Sequence, residues 1–224
     1  MLDLLIIQHE DDTPPGSTLE WAKQRGLSTY VWRVDQTPPP FPPAQFKALV
    51  ICGGTMDTFE EDKHPWLKTE KSFLKECIAA KKPIFGLCLG SQLLAEVLGG
   101  RSYPYHKWEI GFVPVQLLDE NPQKTLHVFH WHQCTFDLPP GAELLATNDF
   151  CPNQAFTFGN NIMATQFHPE ATEKWVEECS DSVEDGRSFT GIVQNKKEML
   201  ESISLRKPMQ DWFFQKLDSW FETT

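Results

Sequence analysis

The stretch Pro83-Ile84-Phe85-Gly86-Leu87-Cys88-Leu89-Gly90-Ser91-Gln92 decides how this chain folds. Its first half, residues 84–87, is apolar and predicts a short buried strand. Apolar residues at helical spacing over 93–98 predict a helix that ends at Gly99, which can adopt the left-handed C-terminal cap. Cys88 therefore lies on a very tight turn between a strand and a helix.

The turn has the pattern Gly-x-Cys-x-Gly, because Gly86 and Gly90 flank Cys88 at two residues on either side. This is the nucleophile-elbow pattern with sulfur in place of the serine oxygen. Glycine is needed where strand and helix cross closely, since a side chain would collide there. The helix N-terminus favours a thiolate at Cys88. The alternative interpretation is a buried cysteine beside loop glycines.

Composition bounds the class of protein. The 224 residues and their 40% hydrophobic content suit one domain, residues 1–224, with a C-terminal helical segment over about 171–224. A formal charge of −11 without a basic run argues against a nucleic-acid partner. The six cysteines lack paired metal spacing, and no apolar run approaches a membrane span. We expect a reduced cytoplasmic protein with no membrane contact.

Strands and helices alternate in the first hundred residues, which implies crossover connections and a parallel sheet. Short apolar runs predict strands at residues 4–8, 29–34 and 47–52, and apolar stripes predict helices at 18–25 and 65–80. After Gly100, short strand-like pieces alternate with turn residues. They predict antiparallel strands at one sheet edge: 111–118, 126–129, 143–146, 155–158 and 162–167. The aromatic stripe of a helix at 209–221 is expected to pack on the sheet.

The motif Gln166-Phe167-His168-Pro169-Glu170 places His168 at the end of the last of these strands. A thiol nucleophile needs a base to take its proton and return it to the leaving amine, and His168 is the candidate. Residues i and i+2 of an extended segment point to the same side, so Glu170 can orient the His168 ring. The alternative is a surface His-Pro-Glu at a strand end.

Gly53 and Gly54 follow the predicted strand at 47–52. Consecutive glycines let backbone N–H groups turn towards one point, and with the N–H of Leu89 they can form an oxyanion hole. An ordinary tight turn is the alternative. Gln92 either meets a polar substrate or caps its helix.

The remaining histidines give weaker signals. His127, His130 and His132 alternate on a strand-like segment, but without a nearby acidic ligand pattern we predict no metal site. His9, His64 and His106 are interpreted as loop residues. Cys52 is interpreted as a packed side chain.

Together these motifs resemble the class I glutamine amidotransferases of the triad type with a cysteine nucleophile. Trp108-Glu109-Ile110-Gly111 and Phe136-Asp137-Leu138-Pro139 resemble the stand-alone subgroup related to the amidotransferase domain of GMP synthetase. The resemblance implies an α/β, flavodoxin-like, mostly parallel sheet flanked by helices. It also implies a glutamyl thioester on Cys88, release of ammonia and no cofactor.

The resemblance further implies that the amino-acid end of the substrate is held near Gln92 and by the backbone at Gln133 and Cys134. Here the chain departs from the synthetase domain, which typically has His-Gly-Asp where this chain has His132-Gln133-Cys134. This departure bears on the glutamine pocket and on coupling to a synthetase partner that accepts ammonia. We expect no fused synthetase domain.

Three functions follow as hypotheses. The first is hydrolysis of the glutamine side-chain amide by Cys88, His168 and Glu170, with Gly53, Gly54 and Leu89 stabilising the oxyanion. The second keeps this chemistry on a γ-glutamyl peptide or γ-glutamyl amine. The third is a non-catalytic binding or regulatory protein, which the intact set of three residues argues against.

Overall fold

The computed structural model describes residues 1–119, 124–184 and 188–222. Within these residues the strands form one sheet: β1 (Leu2–Gln8), β2 (Thr29–Arg33), β3 (Phe46–Ile51), β4 (Ile84–Leu87), β5 (Ser102–Leu117), β6 (Lys124–Phe136), β7 (Ala142–Thr147), β8 (Ala155–Phe158), β9 (Ile162–Thr165) and β10 (Gly191–Val193). The helices that cover it are α1 (Ser17–Gln24), α2 (Trp66–Ala79), α3 (Leu89–Val97), α4 (Glu173–Val183), α5 (Lys196–Glu201) and α6 (Arg206–Phe221).

The centre of the sheet is parallel, in the order β2-β1-β3-β4-β9. This is the strand order of flavodoxin-like folds. Strand β1 shows how the sheet is buried on both faces: Leu4 and Ile6 belong to one apolar cluster, and Leu5 and Ile7 belong to the cluster on the opposite face. The predicted α/β fold class is confirmed.

Antiparallel strands extend the β9 edge, as predicted, in the order β9-β8-β7-β5, with β6 paired to β5. The placement of the piece 162–167 among the antiparallel edge strands was wrong, because this piece is β9, which pairs parallel with β4 and antiparallel only with β8. Strands β5 and β6 have 16 and 13 residues, so they are much longer than the predicted pieces at 111–118 and 126–129. Turn-forming residues suggested breaks in this region. Instead, β5 and β6 remain paired through this region, and the pairing shifts register between Pro104 and Glu109.

Helix α6 packs its aromatic stripe against the sheet, as predicted. The rings of Phe213 and Trp220 meet Phe85 edge-on, with centroid distances of 5.4 and 5.9 Å. The predicted helical segment 171–224 also contains a short strand, β10, which pairs parallel with β5. Residues 185–187 and 223–224 of that segment lie outside the described residues. Among the described residues, no helix has the length and apolarity to cross a membrane.

Candidate active site

Cys88 occupies a strained turn between the last residue of β4 and the first residue of α3. Its backbone φ is 48°, a left-handed value that non-glycine residues rarely adopt. A Cβ on Gly86 would lie 2.7 Å from the carbonyl oxygen of Gly90, and one on Gly90 would lie 2.6 Å from that of Ile51. The Gly-x-Cys-x-Gly pattern is therefore required by close crossing of strand and helix, as the sequence predicted.

His168 lies against Cys88, although 80 residues separate them in the chain. The imidazole Nδ1 donates a 2.8 Å hydrogen bond to Oε1 of Glu170, and the side chains of His168 and Cys88 line the same cavity. Because Nδ1 is engaged by Glu170, Nε2 is the ring nitrogen left for Cys88. The three predicted residues thus meet at the carboxyl ends of neighbouring parallel strands, β4 and β9.

Electrostatics favour a protonated His168. Burial lowers the pKa of its imidazole, but the charges and hydrogen bonds of Cys88 and Glu170 outweigh burial and raise it to about 10. In the other five cysteines, burial raises the pKa of the thiol. Cys52 is among them, which agrees with its interpretation as a packed side chain. Those thiols remain protonated at neutral pH.

The Gly53-Gly54 loop passes directly over this pair. A Cβ on Gly53 would lie 2.8 Å from Cε1 of His168 and 3.6 Å from Cβ of Cys88. Gly54 and Leu89 line the same cavity as Cys88. Leu89 is the first residue of α3, so its N–H has no partner within the helix. The loop and the helix N-terminus therefore offer backbone donors beside the sulfur.

The cavity above Cys88 has a volume of about 430 Å³, within the usual range for small-molecule sites. Its described lining residues include one carboxylate, Asp57, and no Lys or Arg. Three tryptophans form another part of its wall: Trp108, Trp131 and Trp175. The rings of Trp175 and His168 pack in a T-shaped arrangement, with centroids 4.9 Å apart.

The predicted substrate-binding residues Gln92, Gln133 and Cys134 all line this cavity. Nε2 of Gln92 donates to the carbonyl oxygen of Cys134, at 3.3 Å. The Cys134 thiol donates to Oδ1 of Asp57, at 2.9 Å. A carboxylate is therefore present beside position 134 although the chain lacks the aspartate of the His-Gly-Asp pattern there.

Gln166 is a site residue that sequence reasoning did not single out. It is fully buried, its Oε1 accepts from Nε2 of Gln92 at 3.1 Å, and its own Nε2 lies 3.6 Å from Sγ of Cys88. Its position two residues before His168 was the available signal, because residues i and i+2 of an extended segment share a side.

His9 lies in the loop after β1, as interpreted, but its functional contacts were missed. Its side chain is fully buried and contacts the Gly53 carbonyl. Histidine at the end of a parallel strand was the available signal. Of the other two, His64 is half-buried, whereas His106 lies exposed within strand β5 rather than in a loop.

The statement that His130 and His132 lack a nearby acidic residue is wrong. Nε2 of His132 lies 3.1 Å from Oε2 of Glu109, and these three buried side chains present converging nitrogen and oxygen atoms. Asn148 and Gln154 also donate to the Glu109 carboxylate, at 2.6 and 2.7 Å. Protein donors therefore satisfy this carboxylate, and the absence of a metal site stays a prediction. The third histidine of the alternating set, at position 127, is exposed.

Comparison with known proteins gives a consistent result. The family model for glutamine amidotransferase class-I matches residues 17–177. The chain is 28% identical over 226 residues to the glutamine amidotransferase-like protein YfeJ of Salmonella typhimurium, covering 95% of this chain and 91% of that protein. It is 41% identical over 96 residues to a subunit of the glutamine-hydrolyzing GMP synthase of Thermococcus kodakarensis, covering 39% of this chain and 50% of that subunit.

Solved structures agree with the sequence relatives. A glutamine amido transferase from Methylobacillus flagellatus superposes with a TM-score of 0.91 at 26% identity, covering 99% of this chain and 95% of that one. A glutamine amidotransferase from Thermotoga maritima gives a TM-score of 0.88 at 28% identity, covering 99% and 98%.

Proposed function

This chain belongs to the class-I glutamine amidotransferase family, and on that premise we propose that it hydrolyses the side-chain amide of glutamine through a thioester on Cys88. The observation that carries the proposal is the contact of Cys88, at its strained turn, with the buried His168–Glu170 pair. A nucleophile, a base within hydrogen-bond reach and a third group that orients the base form the minimal set for this chemistry.

The proposed reaction has two steps. The Cys88 thiolate attacks the amide carbon, a C–S bond forms, and the C–N bond breaks as the His168 imidazolium gives its proton to the leaving nitrogen. Ammonia departs and the glutamyl thioester remains. His168 then takes a proton from water while the water oxygen attacks the thioester carbon. The C–S bond breaks, and glutamate and the thiolate are released.

Roles for the neighbouring groups follow from their positions. The N–H groups of Gly54 and Leu89 stabilise the oxyanion, and Gly53 contributes the peptide that carries the Gly54 N–H. Gln92 and the backbone at Gln133 and Cys134 hold the amino-acid end of the substrate. The carboxylate of Asp57 lies at that end and suits the substrate ammonium group.

One observation favours a second candidate function, the hydrolysis of a γ-glutamyl peptide or γ-glutamyl amine, whose leaving group is larger than ammonia. His168 must lie beside the leaving amine, because it supplies that amine's proton. The wall next to His168 includes Trp175, and Trp108 and Trp131 line the same cavity. An aromatic wall stabilises an apolar leaving group better than ammonia. In this candidate no synthetase partner receives ammonia.

A substrate panel tests the proposal. Glutamine and a set of γ-glutamyl dipeptides are assayed for glutamate release, with Cys88→Ala as the inactive variant and Cys179→Ala as a matched cysteine control. Glutamine turnover that Cys88→Ala abolishes and Cys179→Ala retains supports the amidase. Dipeptide turnover far above glutamine turnover supports the second candidate.

A labelling experiment tests the hypothesis that the protein is a non-catalytic binding protein. The glutamine-mimicking electrophile 6-diazo-5-oxonorleucine should form an adduct at Cys88 that mass spectrometry detects. No adduct, together with no turnover in the panel, contradicts both enzyme proposals and leaves a binding role.

A further inference from the structure

His9 follows strand β1 and holds the loop that passes over Cys88. Its Nδ1 donates a 2.7 Å hydrogen bond to the carbonyl oxygen of Gly53, and the Thr13 hydroxyl donates to the same oxygen at 3.0 Å. His9 is not among the described residues that line the cavity, so it takes no direct part in the proposed chemistry. Its contact is with the peptide between Gly53 and Gly54.

The opposite edge of the His9 ring meets a buried carboxylate. Nε2 lies 3.1 Å from both carboxylate oxygens of Glu70, which is fully buried on α2, and the ring stacks on Trp66. A ring that donates to a carbonyl and to a carboxylate carries both protons. Burial lowers the pKa of His9, but the Glu70 charge and hydrogen bonds outweigh it and raise the pKa overall.

The next residue, Glu10, holds the other side of the same loop. Its carboxylate accepts the backbone N–H of Thr55 at 2.6 Å and the Thr55 hydroxyl at 2.9 Å. Two consecutive side chains therefore fix both peptides that flank Gly54: one through the Gly53 carbonyl, the other through the Thr55 N–H.

Peptide geometry determines where the remaining group points. In a planar trans peptide the N–H of Gly54 is directed opposite to the Gly53 carbonyl, and therefore away from His9. No described residue accepts a hydrogen bond from the Gly54 N–H. Gly54 lines the cavity beside Cys88 and Leu89, so this free donor belongs to the cavity side of the loop.

We propose that His9, held by Glu70, is a positioning residue that sets the direction of the Gly54 N–H in the oxyanion hole. Two adjacent glycines allow a peptide to flip at low cost. A flipped peptide would present the Gly53 carbonyl oxygen to the developing oxyanion and would repel it. The His9 and Thr13 hydrogen bonds prevent that flip. The inference rests on the proposed amide hydrolysis.

The test compares two double variants that differ only in the donor at position 9. Glu70→Gln in both removes the carboxylate that would otherwise lie buried without a cation. His9→Asn retains a side-chain N–H near the place of Nδ1, whereas His9→Ala has none. His64→Ala is the matched control, because His64 also contacts Trp66 but not the glycine loop.

We expect the His9→Ala double variant to lose about 10²-fold in kcat with little change in KM, as for loss of one oxyanion donor. The His9→Asn double variant should retain kcat within about tenfold of the wild type. Alkylation of Cys88 by iodoacetamide forms no oxyanion, so its rate should be unchanged in both. A kcat within threefold of wild type in the His9→Ala variant overturns the proposal. The proposal is also overturned if kcat, KM and the alkylation rate all deteriorate together in the His9→Ala double variant, because that result indicates a structural role for His9.

Hydrogen exchange separates this inference from the proposed function. If the wild type hydrolyses no amide, the proposed function fails. Deuterium uptake over residues 53–56 then tests whether His9 holds the Gly53–Gly54 peptide. Faster uptake in the His9→Ala double variant than in the His9→Asn double variant supports it. Equal uptake in the two overturns it.

Discussion

His168 and Glu170 are two residues apart, and Nδ1 of the histidine donates a 2.8 Å hydrogen bond to Oε1 of the glutamate. Both side chains are buried, and the backbone carbonyl of Glu170 accepts the N–H of Ser17 at the start of α1. The segment that carries the carboxylate is thus held from a second element. This pairing leaves the other ring nitrogen of His168 for Cys88.

Glu170→Gln should lower kcat by about 10²-fold or more, because it removes the charge that stabilises the imidazolium. The raised pKa of His168, about 10, means that its proton is present below that pH and is lost as pH rises through it. Without the Glu170 charge the pKa falls, so the alkaline limb of the pH–kcat profile moves to lower pH. Exposed Glu173→Gln serves as the control. If the alkaline limb of the Glu170→Gln profile does not move, Glu170 does not stabilise the His168 imidazolium.

Gln166→Leu should slow alkylation of Cys88 by iodoacetamide roughly tenfold, since a hydrogen-bond donor to a charged group is lost. Gln166→Glu should slow it further, because a carboxylate would then face the thiolate. The rate is measured by mass spectrometry of the Cys88 peptide. Equal rates in wild type and both variants would show that Gln166 does not act on the sulfur.

Gly53→Ala should reduce kcat by about 10²-fold, because the added Cβ would lie 2.8 Å from Cε1 of His168 and displace the ring. Gly26→Ala is the comparison. Its Cβ meets nothing within 4 Å, and its φ of 65° costs only about 1–2 kcal/mol of stability. Kinetics and thermal unfolding of both proteins check this. If the loss of kcat is proportional to the drop in unfolding temperature in both variants, the steric explanation is refuted.

Glu109→Gln should destabilise the protein by about 1–3 kcal/mol at pH 7, because it removes a buried carboxylate that accepts hydrogen bonds from Asn148 and Gln154 and contacts His132. Burial raises the pKa of Glu109, but the His132 hydrogen bond and the charges of His130 and His132 lower it overall to about 2. Because folding depresses the pKa of Glu109, its ionised carboxylate stabilises the fold above pH 4.5. This contribution is lost as the pH falls from 4.5 towards 2.

The wild type should therefore lose more stability between pH 6 and 3 than Glu109→Gln does. Denaturant unfolding across this range measures the difference. Glu143→Gln, on the exposed face of β7, is the control and should follow the wild type. Parallel curves for wild type and Glu109→Gln would exclude an ion pair at this position.

Local sequence determined the elbow and the parallel strands β1 to β4. The glycines at 86 and 90 answer a steric requirement created by the crossing of strand and helix, and apolar runs buried on both faces identify central parallel strands. His168 and Glu170 were predictable from local sequence too, since an i, i+2 relation is decided by the backbone of one segment. The length of β5 and β6 was not, because partner strands and a register shift override local turn signals.

Tertiary structure alone decided which polar side chains became buried partners. His9 pairs with Glu70 across 61 residues, and Glu109 pairs with His132 from a neighbouring strand. Burial of a charged group is stable only when its partner is present, and the partner lies far along the chain. No local pattern encodes such a pair. The chain alone therefore predicted the residues proposed to react, and only the fold revealed those proposed to hold them in place.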